Sequence, residues 1–415
     1  MLKHLFLLFL TAISMSSHAD MPKVKIGVVG PFTGASSTDM GSSIRGGARV
    51  FADEIRNFSV VLGKEIELVE MDDEANPEVG LAAVKALVEK EQVVAVVGFA
   101  NIAVATKVAD YLQKAGIPLI VSAAAGGDIT RRTLQPKEPN YIFRVSGRDS
   151  LQTLAMMKDL VERRKLRSIA ILHDTTPYGE GGRQNAVAEL ERRGLKAVAI
   201  ESFKVGDQDM TAQLARARDA GAQAIAVYGL ATEDAMVARS LARMNWNVPL
   251  VGTWTMSQNS YLELAGRAAE GSRAAVTFIE DERGGVTRTF GISYRKVNKT
   301  QVIPSGVAAA QTYDALRLLY LALYQCSCSD PQGVRKALDN LQYSARSTVV
   351  TRYDRPFTPD DHEAISANMV VMGEIRNGKF FYAYKEDENA SLITRVKEIP
   401  EDTAAERQRM AKTGR

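Results

Sequence analysis

The fold is decided by residues 95–125, AVVGFANIAVATKVADYLQKAGIPLIVSAAA. The apolar run 93–97 is short enough for a strand that is buried on both faces, and Gly98 ends it. Asn101 then stands at the position of a helix N-cap, where its side chain would accept a hydrogen bond from the first turn. These residues therefore predict a strand, a short loop and the start of a helix.

The rest of this stretch completes a strand–helix–strand unit. Apolar residues recur with helical spacing over 104–112, and Gly116 is typical of a helix C-terminus. A second buried strand is predicted at 118–121, followed by a loop of small residues at 122–127. Ligands of open α/β sheets bind outside the carboxyl ends of the strands. The loops at 98–101 and 122–127 are therefore the first candidate ligand contacts.

The unit occurs a second time at residues 226–256, AVYGLATEDAMVARSLARMNWNVPLVGTWTM. Five identical pairs share one constant spacing: Ala95 and Ala226, Gly98 and Gly229, Ala100 and Ala231, Pro118 and Pro249, Leu119 and Leu250. In this alignment Thr232 takes the N-cap position of Asn101. Any two strand–helix–strand units resemble each other, so an internal repeat and a coincidence both remain open. In either case the chain offers two ligand edges that can face each other.

The first 19 residues have the pattern of a secretory signal peptide. Lys3 supplies the positive charge, residues 5–13 are apolar, and Ser17-His18-Ala19 is a small-x-small cleavage sequence. The apolar run is too short to span a bilayer, and no later run reaches that length. We expect cleavage after Ala19 and export of the remaining chain to the periplasm.

The composition favours a large protein with no nucleic-acid partner. The chain has 415 residues, of which 46% are hydrophobic and 24% are charged, enough for two sizeable cores. The net charge is +3, and no basic stripe suggests nucleic-acid binding. Cys326 and Cys328 are too few for a disulfide scaffold, and no histidine nearby suggests a metal site. We expect two unpaired or loosely linked thiols at a helix end, with a Cys-x-Cys bridge as the alternative.

The rest of the chain alternates between strand and helix patterns. Further strands are predicted at 23–30, 65–71, 140–145, 168–174, 198–203 and 272–279. Late strands are predicted at 349–353, 367–374 and 379–384, with Asn377-Gly378 as a hairpin turn, and a charged surface tail follows. The sequence therefore predicts an α/β fold with two doubly wound lobes, each built on a parallel sheet.

Motifs of catalysis are absent from the sequence. Residues 27–34, GVVGPFTG, resemble a dinucleotide-binding loop only faintly, because Pro31 lacks the N–H group that a pyrophosphate would need. Asp72 is also too far along the chain for the usual ribose partner. There is no G-x-S-x-G elbow, and the His-Glu pair at 362–363 lacks the second histidine of a zinc protease. We expect neither an enzyme nor a bound cofactor or metal.

Four aromatic residues fall in loops at predicted strand ends: Phe32, Phe99, Tyr178 and Trp254. Their common position at one edge is consistent with the walls of a ligand cleft. Ordinary packing is the alternative for any single one of them.

The order of motifs resembles the type I periplasmic binding proteins of the leucine/isoleucine/valine-binding group, which serve ABC importers. The resemblance covers nearly all of the chain after the signal peptide. It is carried by KIGVVGPFTG, VEMDDEANPE, VVGFANIAVA, IVSAAAGG, FRVSGRDSLQ, AILHDTTPYGEG and AAQTYDAL, in that order. It implies two lobes joined by three crossovers, with a cleft that closes around one small ligand.

The resemblance also implies boundaries for the two lobes. The expected division is a signal peptide at 1–19, a first lobe of 20–145 plus 274–353, a second lobe of 146–273 plus 354–384, and a charged tail at 385–415. The crossovers are expected near Val145, Arg273 and Tyr353.

The resemblance transfers the ligand contacts only in part. Tyr178 stands where the family has a cleft tyrosine, and Ala123 where a backbone group meets the ligand carboxylate. Four positions depart from the amino-acid pattern: Ile102 stands in place of a serine, Ala125 of a threonine or serine, Ala231 of an aromatic residue, and Trp254 of the acid that pairs with the ligand ammonium. The full set of expected contacts is Phe32, Phe99, Asn101, Ile102, Ser122, Ala123, Ala124, Ala125, Tyr178, Ala231, Thr232 and Trp254.

These observations predict an exported, monomeric solute-binding protein that delivers a small molecule to an ABC permease and ATPase complex. The expected ligand is a small organic acid, amide or amino-acid-like solute, whose polar end is bound by backbone donors of residues 123–125. A ligand-sensing subunit that docks on a membrane receptor is the alternative from another class. A secreted enzyme is the third hypothesis.

Overall fold

The computed structural model describes residues 22–34, 37–56, 60–61, 63–132, 138–281, 283–343, 348–390 and 397. The predicted signal peptide with its cleavage site after Ala19 lies outside the described residues. The same holds for the predicted tail beyond residue 390, apart from Lys397.

Strands and helices alternate over most of the described chain. The strands are β1 (Lys23–Gly30), β2 (Val60–Val61), β3 (Lys64–Asp72), β4 (Ala95–Gly98), β5 (Leu119–Val121), β6 (Ile142–Arg144), β7 (Ile169–Asp174), β8 (Ala199–Phe203), β9 (Ala224–Tyr228), β10 (Leu250–Gly252), β11 (Arg273–Val276), β12 (Val371–Arg376) and β13 (Lys379–Tyr382). The α-helices are α1 (Thr38–Ile55), α2 (Pro77–Glu89), α3 (Ile102–Ala115), α4 (Ile129–Arg132), α5 (Asp149–Met157), α6 (Pro177–Arg192), α7 (Thr211–Asp219), α8 (Ala231–Arg243), α9 (Asn259–Ala265), α10 (Gly285–Asn298), α11 (Gly306–Cys326), α12 (Pro331–Asp339) and α13 (Lys385–Ala390).

The strands form two separate sheets. The first has the order β2-β3-β1-β4-β5-β6, and all its pairings are parallel except that of β2 with β3. The second has the order β13-β12-β11-β10-β9-β7-β8, and only its β11-β12-β13 end is antiparallel. The predicted α/β architecture of two mainly parallel sheets is confirmed. Helices α10 and α11 pack against α1, so they belong to the first lobe.

Local sequence signals explain where several elements begin and end. Asn101 caps α3, because its Oδ1 accepts hydrogen bonds from the N–H groups of Ala103 and Val104 at 2.9 and 3.4 Å. Gly116 ends the helix in the left-handed conformation, with φ of 68°. In the β12–β13 hairpin, Asn377 and Gly378 both have positive φ, which the predicted two-residue turn requires.

The second copy of the unit begins its helix earlier than predicted. The N-cap of α8 is Leu230, which makes no side-chain capping bond, and the helix begins at Ala231. Thr232 therefore lies inside the first turn, where its hydroxyl donates to Glu233 Oε2 at 2.6 Å. The prediction that Thr232 takes the N-cap role of Asn101 is wrong, because the two helices start at different places in the alignment.

The chain passes between the two sheets three times. It leaves the first sheet after β6, returns after β11, and crosses again before β12. The second passage starts later than the sequence suggested, because all of β11 pairs in the second sheet. Residues 274–276 are thus part of the second sheet, not of the first lobe. The third passage begins beyond residue 350, because the carboxylate of Asp314 in α11 accepts the N–H groups of Val349 and Val350.

The same contact explains why the predicted strand at 349–353 does not form. The N–H groups of Val349 and Val350 are bound to a side chain, at 2.6 and 2.8 Å, rather than to a neighbouring strand. The expectation of two unpaired or loosely linked thiols is also wrong, because Cys326 and Cys328 form the Cys-x-Cys bridge that was the alternative. Helix α11 ends at Cys326, and Ser327 turns the chain in the left-handed conformation so that Cys328 faces back toward it.

The first residues of the predicted tail form a short helix on the second lobe. Asp387 of α13 forms an ion pair with Arg163 at 3.1 Å, and Glu388 forms one with Arg283 at 3.0 Å. The tail therefore begins as an attached element of the fold.

Candidate ligand-binding site

A cavity of about 200 Å³ lies between the carboxyl ends of the two sheets. Its lining residues are Ser37, Met40, Ala100, Asn101, Ile102, Ala103, Ala123, Ala125, Gly126, Thr176, Pro177, Tyr178, Leu230, Trp254 and Thr255. The first nine come from loops and helix starts of the first lobe, and the other six come from the second. None of these described lining residues has an ionisable acidic or basic side chain. The cavity is therefore a mixed apolar and hydroxyl-bearing pocket between two lobes.

Six of the twelve expected contacts line this cavity: Asn101, Ile102, Ala123, Ala125, Tyr178 and Trp254. The other six, Phe32, Phe99, Ser122, Ala124, Ala231 and Thr232, are not among its lining residues. The predicted loops are thus brought together, while half of the side chains in them are used elsewhere.

Two of the four aromatic residues do not form the expected wall. Phe99 is fully buried in the core of the first lobe, and the guanidinium of Arg45 lies over the ring of Phe32 at 3.9 Å. The backbone of Phe99 has a φ of 65°, which is uncommon for a residue other than glycine. Tyr178 and Trp254 alone of the four face the cavity.

The other expected contacts have internal partners. The Ser122 hydroxyl forms a hydrogen bond with Thr312 Oγ1 at 2.8 Å, and both residues are buried. The N–H of Ala124 donates to the Phe99 carbonyl at 2.8 Å. Ala231 is buried in the first turn of α8.

Backbone donors remain at the first-lobe end of the cavity. Within the described chain, the N–H groups of Ala123, Ala125 and Gly126 have no hydrogen-bond acceptor, and all three residues line the cavity. The N-terminus of α3, at Ile102, meets the same space, and its helix dipole adds positive potential. Unpaired N–H groups beside a helix N-terminus favour an anionic or carbonyl oxygen. This end of the cavity can therefore bind a carboxylate or an amide carbonyl.

The second-lobe wall ends in a chain of hydroxyl groups. Tyr178 Oη forms a hydrogen bond with Thr253 Oγ1 at 2.6 Å, and Thr253 Oγ1 with Thr255 Oγ1 at 2.9 Å. Thr255 in turn donates to Asp234 Oδ2 at 2.8 Å. Burial raises the pKa of Asp234, and the nearby carboxylates of Asp174 and Glu233 raise it further. This series of hydrogen bonds fixes the orientation of the Tyr178 side chain from behind the cavity.

A carboxylate that the sequence analysis missed lies behind the first-lobe loop. Asp149, the first residue of α5, is 3% exposed, and a Cβ added to Gly126 would lie 3.4 Å from its Oδ2. Burial raises the pKa of Asp149 to about 7, although the positive charge of Arg144 lowers it. Asp149 follows the first crossover, in the quoted stretch FRVSGRDSLQ. Its place in a helix start beyond the strand-end loops is why pattern reasoning did not select it.

The other missed lining residues are neighbours of the expected ones. Ala100, Ala103, Gly126, Thr176, Pro177, Leu230 and Thr255 lie within two residues of a residue that was selected. Ser37 and Met40 come from the start of α1, after the loop that follows β1. The first seven lie within one helical turn of a predicted contact, whereas Ser37 and Met40 lie five and eight residues beyond Phe32.

No set of three or more His, Cys, Asp or Glu side chains in the described ranges is arranged to hold a metal ion. No described helix is long and apolar enough to cross a membrane.

The sequence model of the periplasmic binding protein family matches residues 23–379, and the chain belongs to this family. It is a non-catalytic solute-binding protein, of the group that includes the Leu/Ile/Val-binding proteins and serves ABC transporters. It is 26% identical over 317 residues to the leucine-, isoleucine-, valine-, threonine- and alanine-binding protein of Pseudomonas aeruginosa, an alignment that covers 76% of this chain and 82% of that protein.

Solved structures agree with the fold. A type 1 periplasmic binding protein from Bordetella pertussis Tohama I superposes with a TM-score of 0.76 at 25% identity, over 87% of this chain and 99% of that one. A solute-binding protein of an ABC transporter from Rhodopseudomonas palustris HaA2, in complex with p-hydroxybenzoic acid, superposes with a TM-score of 0.74. That pair is 20% identical, over 87% of this chain and 95% of the other. At this identity, the likeness shows the fold alone.

Proposed function

We propose that the cavity between the lobes captures a small carboxylic acid or amide-like solute, preferably one with an aromatic ring. The protein would then present this ligand to an ABC permease and ATPase complex. One observation carries the proposal: free backbone N–H groups of Ala123 and Ala125 lie at one end of a cavity that has Trp254 and Tyr178 on its walls. The donors suit an oxygen anion, and the rings suit a flat apolar body.

The size of the cavity supports a ligand with a single ring. An apolar cavity of roughly 150 Å³ is known to bind benzene, so about 200 Å³ is enough for a ring that carries one carboxylate. The Rhodopseudomonas palustris protein holds p-hydroxybenzoic acid in the same fold, which is a precedent for this class of ligand. Trp254, which is 3% exposed, would stack on such a ring.

An α-amino acid is the second candidate. It needs an acidic partner, because a buried ammonium group without one costs several kcal/mol. No described lining residue is acidic, and Trp254 occupies the position at which the resemblance places that acid. The position of Asp149, close behind Gly126, favours this candidate, since a small movement of the loop would bring its carboxylate to an ammonium group. The binding of amino acids by the Pseudomonas aeruginosa relative also supports it.

Calorimetric titration separates the two candidates. The chain without residues 1–19 would be refolded to remove carried ligand and titrated with benzoate, 4-hydroxybenzoate, leucine and valine. We expect micromolar or tighter binding of an aromatic acid and no heat from leucine. Tight leucine binding without a response to the aromatic acids would restore the amino-acid assignment. Mass spectrometry of the ligand released from freshly purified protein is the independent check.

The mechanism that we propose is closure of the lobes about the three crossovers. Residues at the ends of β6 and β11 and in the segment after residue 350 would change their backbone angles, while both sheets stay rigid. Small-angle scattering with saturating ligand should give a smaller radius of gyration than without it. Identical curves would contradict the mechanism. Co-purification with permease and ATPase subunits, rather than with a membrane receptor, would distinguish delivery from sensing.

A further inference from the structure

A buried ion pair connects the cavity loop to the third crossover. Arg144, at the end of β6, is fully buried and donates to Glu363 through Nε at 2.8 Å and through Nη2 at 2.7 Å. Glu363 is also nearly buried, and its Oε1 accepts the Thr130 hydroxyl at 2.7 Å. Arg144 and Glu363 form a bridge between two passages of the chain: the Arg144 N–H donates to the His362 carbonyl, and the Ala364 N–H donates to the Arg144 carbonyl, both at 2.9 Å.

The remaining donors of the guanidinium bind the cavity loop itself. Nη1 donates to the carbonyls of Ala125 and Gly126, and Nη2 donates to the carbonyl of Gly127, all at 3.1 Å. A carbonyl and the N–H of the following residue share one planar peptide unit. Fixing the Ala125 carbonyl therefore also fixes the direction of the Gly126 N–H, which is one of the unpaired donors at the cavity.

A second contact fixes the preceding peptide unit. The Ser146 hydroxyl donates to the Ala124 carbonyl at 2.6 Å, and that carbonyl shares its plane with the Ala125 N–H. The two peptide units that flank Ala125 are thus both held from the first crossover. Ser146 binds the peptide unit that precedes Ala125, and Arg144 binds the one that follows it. The Asp149 N–H adds a further bond to the Ala125 carbonyl, at 3.0 Å.

We propose that Arg144, held by Glu363, is the positioning residue that aims the backbone N–H donors of Ala125 and Gly126 at the ligand. The inference rests on the proposed function for the identity of the bound group, but its structural half concerns the loop alone. Residues 362 and 364 pair with Arg144, so Glu363 is attached to the first sheet just before the chain crosses to β12. Movement at that crossing during the proposed lobe rotation would reach the donors through one guanidinium. Binding and hinge position are then coupled by a contact that does not itself touch the ligand.

The experiment uses a paired replacement, Arg144→Met with Glu363→Leu. Removing one partner alone would leave a buried charge and could prevent folding, whereas replacing both with apolar residues often preserves stability. The control is Arg295→Met with Glu280→Leu, which removes a half-buried ion pair with hydrogen bonds of 2.8 and 2.7 Å, neither of whose residues lines the cavity. Two readouts are measured: hydrogen exchange over residues 121–132 without ligand, and the Kd for benzoate, with leucine as the second probe.

In the Arg144/Glu363 variant, we expect at least tenfold faster hydrogen exchange over residues 121–132 and a Kd for benzoate at least tenfold higher. The control variant should show neither change. Arg144→Lys should recover little, because a single ammonium cannot reach three carbonyls and a carboxylate together. Exchange within twofold of the wild type would overturn the proposal, whatever the Kd. If the wild type binds neither probe, the proposed ligand class fails, while the exchange measurement still decides the role of Arg144.

Discussion

The two lobes present different chemistry to the same cavity, although the sequence stretches that build them look alike. The first-lobe edge offers main-chain N–H groups from Ala123 and Ala125, in a loop whose carbonyls are bound from behind. The second-lobe edge offers side chains, Tyr178, Thr255 and Trp254, of which the first two belong to a hydroxyl chain that ends at a buried acid.

The difference shows that one type of strand–helix–strand unit can present either backbone N–H groups or side chains to a cavity. In the first copy, an asparagine caps α3, and the N–H groups of Ala123 and Ala125 have no acceptor among the described residues. In the second copy, α8 begins at Ala231 without a side-chain cap, and recognition falls to residues of the neighbouring loops. In the proposed site, the backbone donors would bind the carboxylate or amide group of the ligand, and the second-lobe side chains would select the rest of the ligand.

Ala125→Pro should have the largest effect. It removes one main-chain donor, and a hydrogen bond to a charged group contributes about 1.5–3 kcal/mol, so the Kd for an acid ligand should rise roughly 10- to 100-fold. The measurement is calorimetric titration with benzoate. Ala125→Gly, which keeps the N–H, is the matched control and should bind almost as the wild type does. Normal binding by the proline variant would show that the donors lie elsewhere.

The pH dependence of stability should reveal Asp149. Burial raises its pKa to about 7 in the folded protein, against about 3.9 in the unfolded chain. The folded state therefore binds the proton more tightly, and the stability that this contributes is present below pH 4 and is lost as the pH rises through 7. Asp149→Asn should raise Tm at pH 8 and change it much less at pH 5. Equal shifts at both values would contradict the assignment.

Tyr178→Phe should sharpen the role of the second-lobe edge. The variant keeps the ring but removes the hydroxyl at the end of the chain through Thr253. A lost neutral hydrogen bond contributes about 1 kcal/mol, so we expect roughly fivefold weaker binding. Titration with benzoate and 4-hydroxybenzoate in parallel shows whether the hydroxyl meets the ligand: a loss confined to 4-hydroxybenzoate places its phenol group at Tyr178, and an equal loss for both ligands assigns the effect to the wall.

The smallest effect distinguishes the two helix starts. Asn101→Ala should cost about 1 kcal/mol of stability, because the Asn101 side chain accepts two N–H groups of α3. Thr232→Ala should cost less than about 0.5 kcal/mol, because its hydroxyl caps no helix N–H. Urea unfolding of both variants measures the difference. Equal costs would mean that the two starts are equivalent after all.

Much of the fold could be predicted from the sequence, because its signals are local. The buried strand before Gly98, the cap at Asn101 and the turn at Asn377-Gly378 each depend on residues within one or two turns of chain. The strand predicted at 349–353 does not form, because the N–H groups of Val349 and Val350 are bound by Asp314. Asp314 is distant in sequence, so no local pattern indicates this contact.

The site was harder to predict than the fold. The loops could be identified from the rule for strand ends, but the direction of each side chain depends on tertiary contacts. Phe99 is buried among the core side chains of the first lobe, and Ser122 is bound by Thr312 from α11. Asp149 and Arg144 act from behind the loop, and a single sequence gives no signal for a residue that acts through another.

The described chain passes between the two lobes three times. An odd number of crossings leaves β1 on the first lobe and α13 on the second. The proposed rotation of one lobe against the other would therefore move these two elements relative to each other. A pair of dyes attached near Lys23 and Glu386 would convert the opening and closing of the cleft into an optical signal. Because neither Lys23 nor Glu386 lines the cavity, the label would make the protein a sensor for its own ligand without replacing a residue of the pocket.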